Sequence, residues 1–125
     1  MDMDTPIIMV VDDDDFFCTV VTSVLKHNYD VKTFTHGEEA IKYLSDHVPD
    51  LILLDYEMPN IKGYGVLMAI RTDLRTRNVP VLFLTGVTNA RMEMEMMERG
   101  ANGYIRKPLD APGLLQEVAK QLKKG

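Results

Sequence analysis

Asp50–Asn60 reads DLILLDYEMPN, and this stretch decides the fold. Leu51, Ile52, Leu53 and Leu54 are apolar at every position rather than at alternate ones, the pattern of a strand covered on both faces in a parallel sheet. Asp55 ends the run, and Met58-Pro59-Asn60 breaks regular structure beyond it. The reading is a carboxylate at the C-terminal tip of a central strand, where open α/β sheets bind their ligands. An isolated Asp would more simply end the strand or cap the next segment, so the case rests on the rest of the chain.

Upstream, Ile7–Val11 is a second apolar, β-branched run, and it meets Asp12, Asp13, Asp14 and Asp15. Phe16, Phe17, Val20, Val21, Val24 and Leu25 then recur at helical spacing, with Asp14 or Asp15 available as the cap. Val31–Thr35 is a third strand, and Gly37 precedes a helix that turns Ala40, Ile41 and Leu44 to one side. Downstream, Gly63 is expected in a left-handed turn before a helix through Val66, Leu67 and Ile70. Arg71–Asn78 reads as a polar connection with solvated basic residues, and Pro80 introduces the strand Val81–Thr85. Asn89–Arg99 is a helix with Met92, Met96 and Met97 inward and Met94 outward, stopped by Gly100. Gly103–Arg106 is a short strand ending at Lys107-Pro108, and the last helix carries Leu114, Leu115, Val118, Ala119 and Leu122.

Strand signals therefore alternate with helix signals throughout, which means a parallel sheet covered on both faces. In such a sheet the C-terminal strand ends lie along one edge, so Asp12, Asp13, Asp55, Thr85 and Lys107 converge there. Four separated positions in the chain point to one site.

Composition bounds what that site belongs to. The 125 residues make one domain, 1–125 with its core in 7–124, and 46% hydrophobic residues suffice for a real core. A net charge of −5 argues against nucleic-acid binding by the domain itself. The single cysteine, Cys18, excludes an internal disulfide and suits a reducing compartment. No apolar run approaches a membrane span, and MDMDTP is acidic where a signal peptide would be basic, so the expected location is cytoplasmic, away from membranes.

Three gathered carboxylates repel, a pair about 4 Å apart costing roughly 4 kcal/mol at an effective dielectric near 20. Such a cluster raises a pKa or binds a cation, and all-oxygen ligands without nearby His or Cys favour Mg2+. His27, His36 and His47 lack metal-ligand spacing. Thr85 can donate to a phosphoryl oxygen, Lys107 supplies positive charge, Gly86 leaves room, and Asp55 is the candidate nucleophile.

The chain resembles the receiver domain of bacterial two-component response regulators, including stand-alone chemotaxis regulators. The resemblance spans essentially Ile7–Lys124 and rests on VVDDDD at Val10–Asp15, LLDYEMP at Leu53–Pro59, VLFLTG at Val81–Gly86 and GANGYIRKP at Gly100–Pro108. It implies a flavodoxin-like, doubly wound α/β fold with a five-stranded parallel sheet in order 2-1-3-4-5 and five helices. It implies that Asp55 is the phosphoacceptor, served by a phosphohistidine on a sensor histidine kinase or phosphotransfer protein. Mg2+, with Mn2+ able to substitute, would be held by Asp13 and Asp55, by Asp12 through a bound water, and by the backbone carbonyl of Glu57. Thr85 and Tyr104 would be the switch pair, Lys107 the phosphoryl-binding lysine, and the bond to Pro108 cis. The output partner would dock on roughly 89–124, and the domain would be a phosphoacceptor, not a turnover enzyme. Lys62 stands where Asp is common, and Glu57 lies beside the path of attacking water. A haloacid-dehalogenase-type hydrolase shares the Asp-x-Asp pattern of Asp12–Asp14. Phe16 departs from that family, no acidic pair follows Lys107, and 125 residues leave no room for a cap. A degenerate receiver acting only as a binding surface would lack phosphorylation residues that are all present here.

Overall fold

A computed structural model describes residues 5–58, 63–86 and 89–124, with the side chain of Lys124 left undescribed. Pro59, Asn60 and Lys62 lie outside the described residues. The elements are β1 (Ile7–Val11), α1 (Asp15–Leu25), β2 (Asp30–Phe34), α2 (Gly37–Leu44), β3 (Leu51–Asp55), α3 (Gly63–Thr72), β4 (Val81–Thr85), α4 (Ala90–Glu98), β5 (Gly103–Arg106) and α5 (Ala111–Lys124). The strands form one parallel sheet in the order β2-β1-β3-β4-β5, as expected.

Alternation along the strands divides the core into two layers. Met9, Val11, Ile52, Leu54, Val81 and Phe83 face Ala40 and Leu44 of α2, Val66, Leu67 and Ile70 of α3, and Met96 of α4. Ile8, Val10, Leu51, Leu53, Leu82 and Leu84 face Cys18, Val21 and Leu25 of α1 and Leu114 and Val118 of α5. Both faces of β3 and β4 are thus covered, which is why their sequences are apolar without a break.

Several local expectations change. Gly63 is not in a left-handed turn: it is the first residue of α3, and a Cβ there would sit 2.1 Å from the Asp55 carbonyl oxygen. Glycine is needed for close approach, not for positive φ. Gly100, with φ of +107°, is the left-handed helix terminator that Gly63 is not. Arg71 belongs to α3 and is half-buried rather than a free surface charge. Its guanidinium donates to the carbonyls of Gly100 (3.0 Å), Arg77 (3.1 Å) and Val79 (2.7 Å) and to Asn102 Oδ1 (2.9 Å). Phe16 is 76% exposed because α1 turns Phe17 and Cys18, not Phe16, toward the sheet. Met97, expected inside, is exposed, while Met96 is fully buried.

Candidate functional site

Strand register builds the site. Val11 pairs with Leu54, so Asp12 stands one step beyond β1, level with Asp55 at the end of β3. Asp55 pairs with Leu84, which puts Thr85 one step further out, and Thr85 pairs with Arg106, so Lys107 follows at the same rim. The Lys107 N–H donates to the Thr85 carbonyl at 2.8 Å and fixes that last step. One ligand oxygen from each of Asp12, Asp13 and Asp55 lies within 4.8 Å of the others.

Local chemistry holds each carboxylate. The Asp12 N–H bonds the Phe34 carbonyl at 3.0 Å, and Asp12 Oδ1 accepts from the Asp14 N–H at 2.9 Å. Asp14 is the N-cap of α1, accepting from the N–H groups of Phe16 and Phe17. Asp55 Oδ1 accepts from the Glu57 N–H at 3.1 Å, while the Glu57 side chain points to solvent. Lys107 Nζ lies 2.9 Å from Asp12 Oδ2, 3.7 Å from Asp55 Oδ1, and 4.5 Å from the centre of the Phe17 ring. The lysine is therefore held from two sides, by charge and by an aromatic face.

The electrostatics show unrelieved crowding. Burial pushes the Asp55 carboxyl up to about 7, and the charge of Asp12 and the contact with Asp13 add to this. The Glu57 N–H and Lys107 oppose it only in part. Burial pulls Lys107 down, but its contact with Asp12 and the charges of Asp12, Asp55 and Asp13 more than reverse that. Asp12 Oδ2 is fully buried, and the Lys107 ammonium at 2.9 Å is the partner that offsets its charge. A buried carboxylate oxygen whose partner is an ammonium keeps lone-pair capacity for a further ligand. The donor set, all oxygen with one partner held in reserve, fits a hydrated divalent cation.

The remaining sequence candidates divide. Thr85 is fully buried at the rim, and at Gly86 a Cβ would meet nothing within 4 Å, so the space beside Thr85 is open. The Lys107–Pro108 peptide is cis. The Tyr104 hydroxyl is turned away from the carboxylates and donates to Glu93 Oε1 of α4. Sequence reading missed Phe17 beneath Lys107, Gly63 against Asp55, and Glu93. Phe17 and Glu93 sit at ordinary amphipathic positions with no local signal. Gly63 carried a signal, a glycine soon after a catalytic-type Asp, but the wrong geometry was attached to it.

A doubly wound parallel sheet with three carboxylates and a lysine gathered at its C-terminal edge defines a flavodoxin-like α/β domain. The chain belongs to the response regulator receiver domain family, whose model matches residues 8–119. It is 32% identical over 120 residues, 95% of its length, to the DNA-binding dual master transcriptional regulator RpaA of Synechocystis, and it spans 50% of that protein. It superposes on the chemotaxis protein CheY4 of Vibrio cholerae with a TM-score of 0.88 at 27% identity, covering 93% of this chain and 98% of that one. The receiver domain of a sensor histidine kinase from Pseudomonas aeruginosa, solved with magnesium coordinated in its active-site cleft, gives 0.87 at 25% identity, covering 95% and 98%. The chain is thus a receiver domain of two-component signalling. No helix among the described residues is long and apolar enough to cross a membrane.

Proposed function

We propose that the chain is a phosphorylation-controlled switch in which Asp55 accepts a phosphoryl group from a phosphohistidine on a sensor histidine kinase or phosphotransfer protein. An Asp55 carboxylate oxygen forms the new bond to phosphorus as the phosphorus–nitrogen bond breaks, and the electron pair stays on the donor imidazole. Asp12, Asp13, Asp55 and the Glu57 carbonyl would hold Mg2+, whose positive charge would let a phosphoryl group enter a pocket of three carboxylates. The magnesium in the Pseudomonas relative supports this assignment.

Lys107, already within 3.7 Å of Asp55, pairs with an incoming phosphoryl oxygen at little reorganisation cost. Thr85 donates its hydroxyl from the rim, and the open space at Gly86 admits the new group. Movement of Thr85 toward the phosphoryl group lets Tyr104 leave Glu93 and turn inward, altering the surface of roughly 89–124. The observation that carries the reading is the convergence of Asp12, Asp13 and Asp55 with Lys107 at one strand edge. Exposure to acetyl phosphate and Mg2+, read by intact mass, should add one phosphoryl group to the parent and none to Asp55→Asn. Equal labelling of both proteins would overturn the assignment.

A further inference from the structure

Lys107 reaches its partners from across the sheet. It follows β5, whereas Asp12 follows β1, and β3 and β4 lie between those two strands. Its stem is long and flexible, and its side chain is 26% exposed, so water competes for the ammonium. The charges that hold it, Asp12 at 2.9 Å and Asp55 at 3.7 Å, belong to the carboxylates that Mg2+ would share. A divalent cation there weakens both attractions and adds a repulsion of its own. The Phe17 ring, with its centre 4.5 Å from Nζ, is a partner of another kind. A hard cation takes oxygen ligands and leaves an aromatic face alone, so this contact outlasts the loss of the carboxylates. The ring is also fixed without help from the lysine. The Phe17 N–H donates to the Asp14 cap at 3.2 Å, and the half-buried side chain packs on the core layer that holds Val10, Val21 and Leu53.

We propose that Phe17 is a positioning residue for Lys107. Its ring keeps the ammonium at the pocket once a cation has claimed the carboxylates, so that Lys107 meets the incoming phosphoryl group instead of turning to water. The carboxylates serve both cations, and the ring serves the ammonium alone. The kinetic consequence rests on the proposed phosphoryl transfer to Asp55, whereas the placement of the lysine does not.

Two measurements on the full chain test this. The first reads the ring current on the ε-methylene protons of Lys107, which should resonate upfield of those of the exposed lysines in chelator and in Mg2+ alike. Phe17→Leu keeps an apolar side chain without a ring, and the upfield shift should vanish there. A Lys107 whose shift collapses to that of an exposed lysine when Mg2+ is added overturns the proposal. The second replaces the Phe17 ring by rings carrying one, two or three fluorines, which drain its negative face at nearly constant shape. The rate of Asp55 labelling by acetyl phosphate and Mg2+, followed by intact mass, should fall with each fluorine. In Phe17→Leu it should drop about three- to tenfold, the size of a partly desolvated cation–π contact. The same fluorines on Phe16, 76% exposed at the neighbouring position, should leave the rate at that of the parent. A flat series at Phe17, or an equal slowing from Phe16, overturns the proposal while Asp55 labelling stands. A parent that takes no label overturns the phosphoacceptor reading instead, and the ring current still decides whether Phe17 holds the lysine.

Discussion

Arg71 and Asp12 are both charged groups drawn into the protein, and they are treated in opposite ways. Arg71 meets four acceptors on two different stretches of chain, so its desolvation is offset bond by bond. It ties α3 to the segment before β4 and to the turn before β5, and burial merely lowers its pKa. Asp12, fully buried, pairs one oxygen with the Lys107 ammonium at 2.9 Å and shares its pocket with two more carboxylates. A charge surrounded by acceptors holds a fold together, and a crowd of like charges around one cation holds a place for another.

That contrast can be broken most forcefully at Arg71. Arg71→Ala strands several half-buried acceptors and should cost about 2–4 kcal/mol in urea unfolding, as expected for losing a set of hydrogen bonds from a charged donor. Asp55 labelling by acetyl phosphate should survive under conditions where the variant is folded. A loss below 1 kcal/mol would mean that the network is ornamental.

The opposite sign is expected at the acidic pocket. In chelator, Asp55→Asn should stabilise the fold by on the order of 2–3 kcal/mol near pH 8, because it removes a carboxylate that the folded state holds unwillingly. The pH dependence follows from the same shift. Between about pH 4 and 7 folded Asp55 keeps its proton while the unfolded chain has lost it, so this contribution to stability falls as pH rises through that window and is flat above it. The difference between Asp55→Asn and the parent should therefore widen from about pH 5 to pH 8, and a constant difference would count against the crowding argument.

Millimolar Mg2+ should narrow that gap by stabilising the parent by about 1–3 kcal/mol, the mass-action gain for a ligand well above its dissociation constant. Asp55→Asn should gain less, and an identical melt of the parent in chelator and in Mg2+ would remove the cation from the account. The smallest structural effect is expected at Glu57. Its side chain is exposed, so Glu57→Ala should leave stability within about 0.5 kcal/mol. It should still change the dephosphorylation rate of Asp55 severalfold, and equal rates would confine the role of this residue to its backbone.

The sheet was legible because its signals are local. Continuous apolar runs in Leu51–Leu54 and Val81–Leu84 announce strands covered twice, and parallel pairing then obliges their ends to meet. The carboxylates at those ends could be gathered into one pocket from sequence order alone. Arg71 was not legible, since its partners Gly100 and Asn102 lie about thirty residues away and leave no trace in local periodicity. Gly63 was noticed for the wrong reason, because a backbone approach across space looks in sequence like any flexible turn. Phe16 and Met97 were placed inside by spacing that allows either neighbour to face the core, and packing chose Phe17 and Met96.

By itself, the sequence determined the order of strands and helices, the acidic edge and the family, since each depends on residue types repeated along short stretches of chain. Only the tertiary structure decided how charges are partnered: four acceptors for Arg71, one ammonium among the three carboxylates around Asp12, and Tyr104 held by Glu93. Hydrogen-bond satisfaction is set by direction and distance between groups remote in the chain, and these exist only once the layers have packed.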